Sequence, residues 1–187
     1  MHNGKLNQFL FEGGYKMPKT SSAKEKRGPA SALMRALRFE REGKRLFTAA
    51  ADKSADPFAK QVFALLAQME TKHMEDIQAI ARELEAGGKF PKVASAPHDA
   101  RMRQFRREHS RIRKEKVISG DAADGMRKAL AFEAEGREMY IRMSKAATHP
   151  QEKRFFKLLA TEEDSHFNII YEYLDFLESR GLRMQDG

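Results

Sequence analysis

Apolar side chains return every three or four positions through most of this chain, the period of a helix that buries one face. From Ser31 to about Ser54, Leu33, Leu37, Glu40 and Phe47 share one stripe. From Pro57 to about Glu85 the stripe is Phe63, Leu66, Glu70, His73, Ile77, Ile80 and Leu84. A third segment, with Asp121 or Asp124 as its expected cap, runs to about Ala147 and carries Glu133 and Tyr140. The fourth, from about Gln151 to Ser179, lines up Phe156, Leu159, Glu163, His166, Ile170, Tyr173 and Leu177. Asp56-Pro57 and His149-Pro150 separate the members of each pair, because proline is tolerated in a helix's first turn but not inside it. Gly87-Gly88 and Gly181 are the expected stops. β-Branched residues are sparse and never alternate, so no strand is predicted. The pattern predicts an all-α four-helix bundle, two antiparallel helical hairpins joined by one long crossover.

The two hairpins repeat each other. Ala36-Leu37-x-Phe39-Glu40-x-Glu42-Gly43 returns as Ala129-Leu130-x-Phe132-Glu133-x-Glu135-Gly136. Phe63-x-x-Leu66-Ala67-x-x-Glu70-x-x-His73 returns as Phe156-x-x-Leu159-Ala160-x-x-Glu163-x-x-His166. Both pairs are 93 residues apart, without a gap. The repeat halves span about 31–86 and 124–179 of a bundle domain covering 29–187, with a connector at 87–123 and an arm at 1–28.

Each stripe is interrupted by groups that resist burial. An unpaired buried carboxylate costs several kcal/mol. No Lys or Arg lies on these stripes to offset Glu40, Glu70, Glu133 and Glu163. Two divalent cations would balance the four negative charges. Glu-x-x-His places carboxylate and imidazole on adjacent turns of one face, so both reach one ion. Carboxylate and imidazole without thiolate suit iron or manganese. Metal ligands are thus expected at Glu40, Glu70, His73, Glu133, Glu163 and His166. Three protein groups per ion leave room for an exogenous ligand.

Composition narrows the chemistry. Without cysteine there is no disulfide, zinc–thiolate site or cysteine-held iron in the chain. No apolar run approaches the ~20 residues of a membrane span, so a cytoplasmic location is expected. The net charge of +8 is uneven: residues 1–28 carry +4 and residues 101–116 carry +6, leaving about −2 for the rest. Such segments can contact nucleic-acid phosphates. With Phe105 as the single aromatic of the second run, a solvated surface is the preferred reading.

Over about residues 31–180 the chain resembles the rubrerythrin branch of the ferritin-like superfamily. The motifs that carry the resemblance are Glu40-x-x-Gly43-x-x-x-Phe47, Glu70-x-x-His73, Glu133-x-x-Gly136-x-x-x-Tyr140 and Glu163-x-x-His166. It implies a ferritin-like bundle with two irons per chain, manganese or a mixed Fe/Mn pair being alternatives. Glu70 and Glu163 would bridge them. Glu40 and Glu133 would be terminal ligands, and His73 and His166 would complete one ion each. It also implies peroxide reduction or ferrous-iron oxidation, a homodimer, and electrons from an external donor such as a separate rubredoxin. Two departures stand out. Gly136 occupies the position of an additional glutamate in rubrerythrins proper, and the rubredoxin domain is absent.

Other residues have plainer readings. Tyr140 either contacts a metal ligand or bound oxygen species, or is an interior tyrosine with a satisfied hydroxyl. Gly43 and Gly136 either leave space beside the metals or allow close helix packing. Glu42, Glu135 and Glu162 lie off the stripes and are expected to face outward. His98, His109 and His149 fall in connectors and read as surface residues. The alternatives to an oxidoreductase are a non-catalytic iron-binding or storage protein and a protective nucleic-acid-associated protein.

Overall fold

A computed structural model of the chain describes residues 28–93 and 120–185. The arm, the basic run, His98 and His109 lie outside the described residues. Among the described residues there are four helices: α1 (Pro29–Lys53), α2 (Pro57–Gly87), α3 (Gly120–Ala146) and α4 (Pro150–Gln185). The described residues form an all-α bundle of two hairpins, α1–α2 and α3–α4, each tightly packed within itself.

Local chemistry sets the helix ends. Asp56 caps α2: its Oδ1 accepts the backbone N–H groups of Phe58 at 2.9 Å and Ala59 at 2.8 Å. In the repeat His149 takes this role, its Nδ1 accepting the N–H of Gln151 at 3.2 Å. His149 is half-buried and stacks on Phe90 rather than standing on the open surface. Gly88 closes α2 with φ 65°, a conformation natural to glycine, and donates its N–H to the Leu84 carbonyl. Two expected ends differ. Helix α3 begins at Gly120, so Asp121 and Asp124 lie within its first turns rather than ahead of them. Asp124 instead pairs with Arg127. Helix α4 continues past Gly181 to Gln185, since one helical glycine costs only ~1 kcal/mol and does not by itself break a helix.

Two contacts fix how the hairpins run. Beyond α2, Phe90 packs on Phe155 and the Val93 N–H donates to Gln151 Oε1, which places the end of α2 beside the α3–α4 turn. At the opposite end Tyr173 donates its hydroxyl to Asp56 and packs edge-on against Phe58. The end of α2 and the start of α3 therefore lie at opposite ends of the bundle, as they do where a long crossover joins two hairpins. No described helix is long and apolar enough to cross a membrane.

The core is aromatic. Phe39 of α1 and Phe132 of α3 stack at 4.4 Å between centroids. Phe39 meets Tyr140 edge-on at 6.2 Å, and Phe132 meets Phe47 edge-on at 5.8 Å, so the rings obey the same internal two-fold as the sequence. Gly43 and Gly136 make this stacking possible. A Cβ on Gly43 would sit 2.7 Å from Phe132 Cε1, and one on Gly136 would sit 2.7 Å from Phe39 Cε1. Of the two readings of these glycines, close packing is the one the structure supports.

Candidate metal centre

All six stripe residues meet between the hairpins. Glu40, Glu70, His73, Glu133, Glu163 and His166 are each 0–3 % exposed. They form two overlapping sets of donors. One is Glu40, Glu70, His73 and Glu163; the other is Glu70, Glu133, Glu163 and His166. Within each set one donor atom per residue lies within 4.8 Å of the rest. Glu70 of α2 and Glu163 of α4 belong to both, which is the relation expected of shared carboxylates. Glu40 and His73 belong only to the first set, Glu133 and His166 only to the second.

The spacings suit a cation. His73 Nδ1 lies 3.0 Å from Glu40 Oε2, 3.5 Å from Glu70 Oε2 and 3.6 Å from Glu163 Oε1. His166 Nδ1 lies 3.4 Å from Glu133 Oε2 and 3.6 Å from Glu70 Oε1. Ligands ~2.1 Å from one ion are spaced about 3.0–3.5 Å apart. Both carboxylate oxygens of Glu70, Glu133 and Glu163 are buried without a hydrogen bond to any described residue outside the cluster. Buried polar atoms are nearly always satisfied, so such oxygens call for an ion or ordered solvent. No lysine or arginine is buried among the described residues.

Protonation follows the same logic. Burial, reinforced by the neighbouring carboxylates, pushes Glu40 and Glu163 well above the usual carboxylate range. Burial does the same to Glu133, against the proximity of Glu163. Glu70 is the exception. Burial would raise it, but Glu40, His166 and His73 beside it outweigh that and hold it low. Burial would lower His73, yet Glu40, Glu162 and Glu70 raise it well above its ordinary value. Without cations the cluster therefore stores protons, and cations would displace them.

Tyr140 donates its hydroxyl to Glu40 Oε1. The contact fits both of its readings: a tyrosine touching a candidate metal ligand, and an interior tyrosine with its hydroxyl satisfied. Burial, then the charge of Glu40, raises the phenol well above its ordinary value, so it remains a donor.

Glu162 corrects an expectation. It is 5 % exposed, and its Oε2 lies 2.7 Å from His73 Nε2, the ring nitrogen facing away from the cluster. It sits one residue, or about 100°, off the α4 stripe, where a facing helix still covers it. The repeat held the signal: its counterpart 93 residues earlier is Met69, an apolar residue also buried at 4 %. Glu42 and Glu135, the other off-stripe glutamates, are half-buried.

No family model matches the chain, and no curated protein matches it. In fold it is similar to a hypothetical protein from Pyrococcus furiosus of solved structure, with a TM-score of 0.58 and 17 % identity over 81 % of this chain and 91 % of that one. At that identity the similarity establishes the bundle and nothing of its chemistry.

Proposed function

We propose that the protein is a diiron-carboxylate oxidoreductase of rubrerythrin-like chemistry, reducing hydrogen peroxide or oxidising ferrous iron. The observation that carries this reading is the pair of buried donor sets sharing Glu70 and Glu163. Glu40 and His73 would complete one iron, Glu133 and His166 the other. The chemistry an iron pair held by these six residues would supply is two-electron redox chemistry.

The chain's own residues supply the setting. The stacked Phe39 and Phe132 lie beside the shared carboxylates, close enough that a Cβ on Gly43 would come within 3.3 Å of Glu70 Cδ and one on Gly136 within 3.0 Å of Glu163 Oε2. Both rings are buried, so the α1–α3 side of the site is apolar. Tyr140 fixes one oxygen of Glu40, so that Oε2 faces the cluster. Electrons come from a separate donor, because the chain has no cysteine to hold an iron–sulfur centre. The working assembly is a homodimer.

The test is reconstitution with ferrous iron under anaerobic conditions, followed by peroxide or oxygen with the reaction monitored optically. About two irons per chain and fast oxidation by one of the two oxidants are expected. Less than one tightly held ion per chain would overturn the reading; two ions inert to both oxidants would leave iron binding without turnover.

A further inference from the structure

The sequence repeat is not perfect, and its breaks converge on one side of the cluster. Tyr140, which donates to Glu40, has Phe47 as its counterpart in the repeat. The edge-on contacts of these two rings with Phe39 and Phe132 confirm that they occupy matching places. Glu162, which meets His73 Nε2, has Met69 as its counterpart. A phenyl ring has no hydroxyl to donate, and a thioether carries no charge. Both polar partners therefore serve the Glu40–His73 donor set, while the repeat puts apolar residues in the corresponding places around Glu133 and His166.

We infer that the two metal positions are inequivalent: the Glu40–His73 position fills first and holds its ion, and the Glu133–His166 position fills second and exchanges. This rests on the metal-binding reading above. The reason is preorganisation. A carboxylate on the distal nitrogen of a ligating imidazole fixes the ring and its tautomer, leaving the near nitrogen as a strong donor. Here Nε2 is engaged by Glu162, so Nδ1 is the nitrogen turned to Glu40, Glu70 and Glu163. Tyr140 holds Glu40 Oε1 in the same way and leaves Oε2 for the ion. Glu133 has no such tether: neither of its oxygens is hydrogen-bonded to another described residue. Its carboxylate must settle as the ion arrives. Glu162 is thus a positioning residue that acts through His73. Loss of such an outer partner typically weakens metal binding ~10–100-fold.

Titration of the full-length metal-free chain with Co(II), followed by absorption and by calorimetry, tests this. Wild type should bind in two steps separated by about 10–100-fold in affinity. Glu162→Gln keeps the side-chain shape but removes the charge. It should weaken the first step by about that factor, leave the second unchanged, and alter the absorption of the first-bound ion. Met69→Glu places a carboxylate at the matching position of the other half and should tighten the second step until the two converge. Circular dichroism melts of each metal-free variant check that the fold is retained. Two equal steps in wild type, or a folded Glu162→Gln chain with an unaltered first step, would overturn the inference while leaving metal binding intact. No binding at all would overturn the metal reading and this inference with it.

Discussion

Phe39 and Phe132 lie face to face at 4.4 Å with planes 13° apart, each ring filling the space above a glycine on the other's helix. This relationship reverses an ordinary expectation. Glycine inside a helix is destabilising by up to ~1 kcal/mol relative to alanine, so Gly136→Ala should help an isolated helix. In this bundle the added methyl would meet a stiff, already stacked ring at 2.7 Å and Glu163 Oε2 at 3.0 Å. We expect Gly136→Ala to lower stability by about 1–3 kcal/mol. Urea denaturation of the metal-free protein measures it, and a stabilised variant would refute the packing account.

Stability of the metal-free protein should fall as pH rises from about 5 to 8. Glu40, Glu133, Glu163 and His73 all bind protons more tightly folded than unfolded. Their contribution is complete below the unfolded carboxylate and imidazole values and is lost as pH climbs towards the folded ones. Each retained proton tilts the curve by ~1.4 kcal/mol per pH unit. Glu70 is shifted the other way, and its contribution is lost only in acid below this window. Thermal melts across the range, with and without metal, should show a downward slope that metal removes.

Shared and terminal carboxylates should differ in stoichiometry. Glu163→Gln removes a group common to both donor sets and should cost both ions. Glu40→Gln touches one set and should spare the other ion. Both variants replace a carboxyl that burial forces to hold a proton near neutral pH, so each metal-free protein should melt higher than wild type there. Metal analysis after gel filtration, paired with melts, would expose the idea as wrong if the two variants lost metal equally.

Asp56 serves two structures with one oxygen, accepting from the start of α2 and from Tyr173 of α4. Asp56→Ala removes a helix cap, worth ~0.5–2 kcal/mol, and takes away the acceptor of a buried phenol's proton, worth a further ~1–3 kcal/mol. Tyr173→Phe should recover much of the second loss when combined with it. A double-mutant cycle that returned simple additivity would argue against the coupling.

The helices, the hairpin pairing and the six clustered residues were legible because each depends on a period or on the repeat. Glu70 and His73 declared themselves by interrupting an apolar stripe. Glu162 did not, because a residue about 100° off the stripe is buried or exposed according to the neighbouring helix, which a single helix's pattern does not encode. Helix ends were legible where a side chain caps, as at Asp56, and were misjudged where Gly181 and Asp121 suggested boundaries that backbone propagation overrode. The role of Gly43 and Gly136 depended on a ring from a helix about ninety residues away, and no local rule could weigh it.

Glu70 and Glu163 come from different hairpins, and each donor set draws on both. A cation in either set would act as a rivet between two halves whose backbones otherwise touch little. Neither hairpin holds a complete set alone, yet each holds three of the required groups, so a lone hairpin pairing with its twin could assemble the same nest. The symmetry of the single chain is the one such a pairing would have. Joining the halves in one chain lets corresponding positions differ, as Phe47 and Tyr140 or Met69 and Glu162 do, a freedom identical subunits never have.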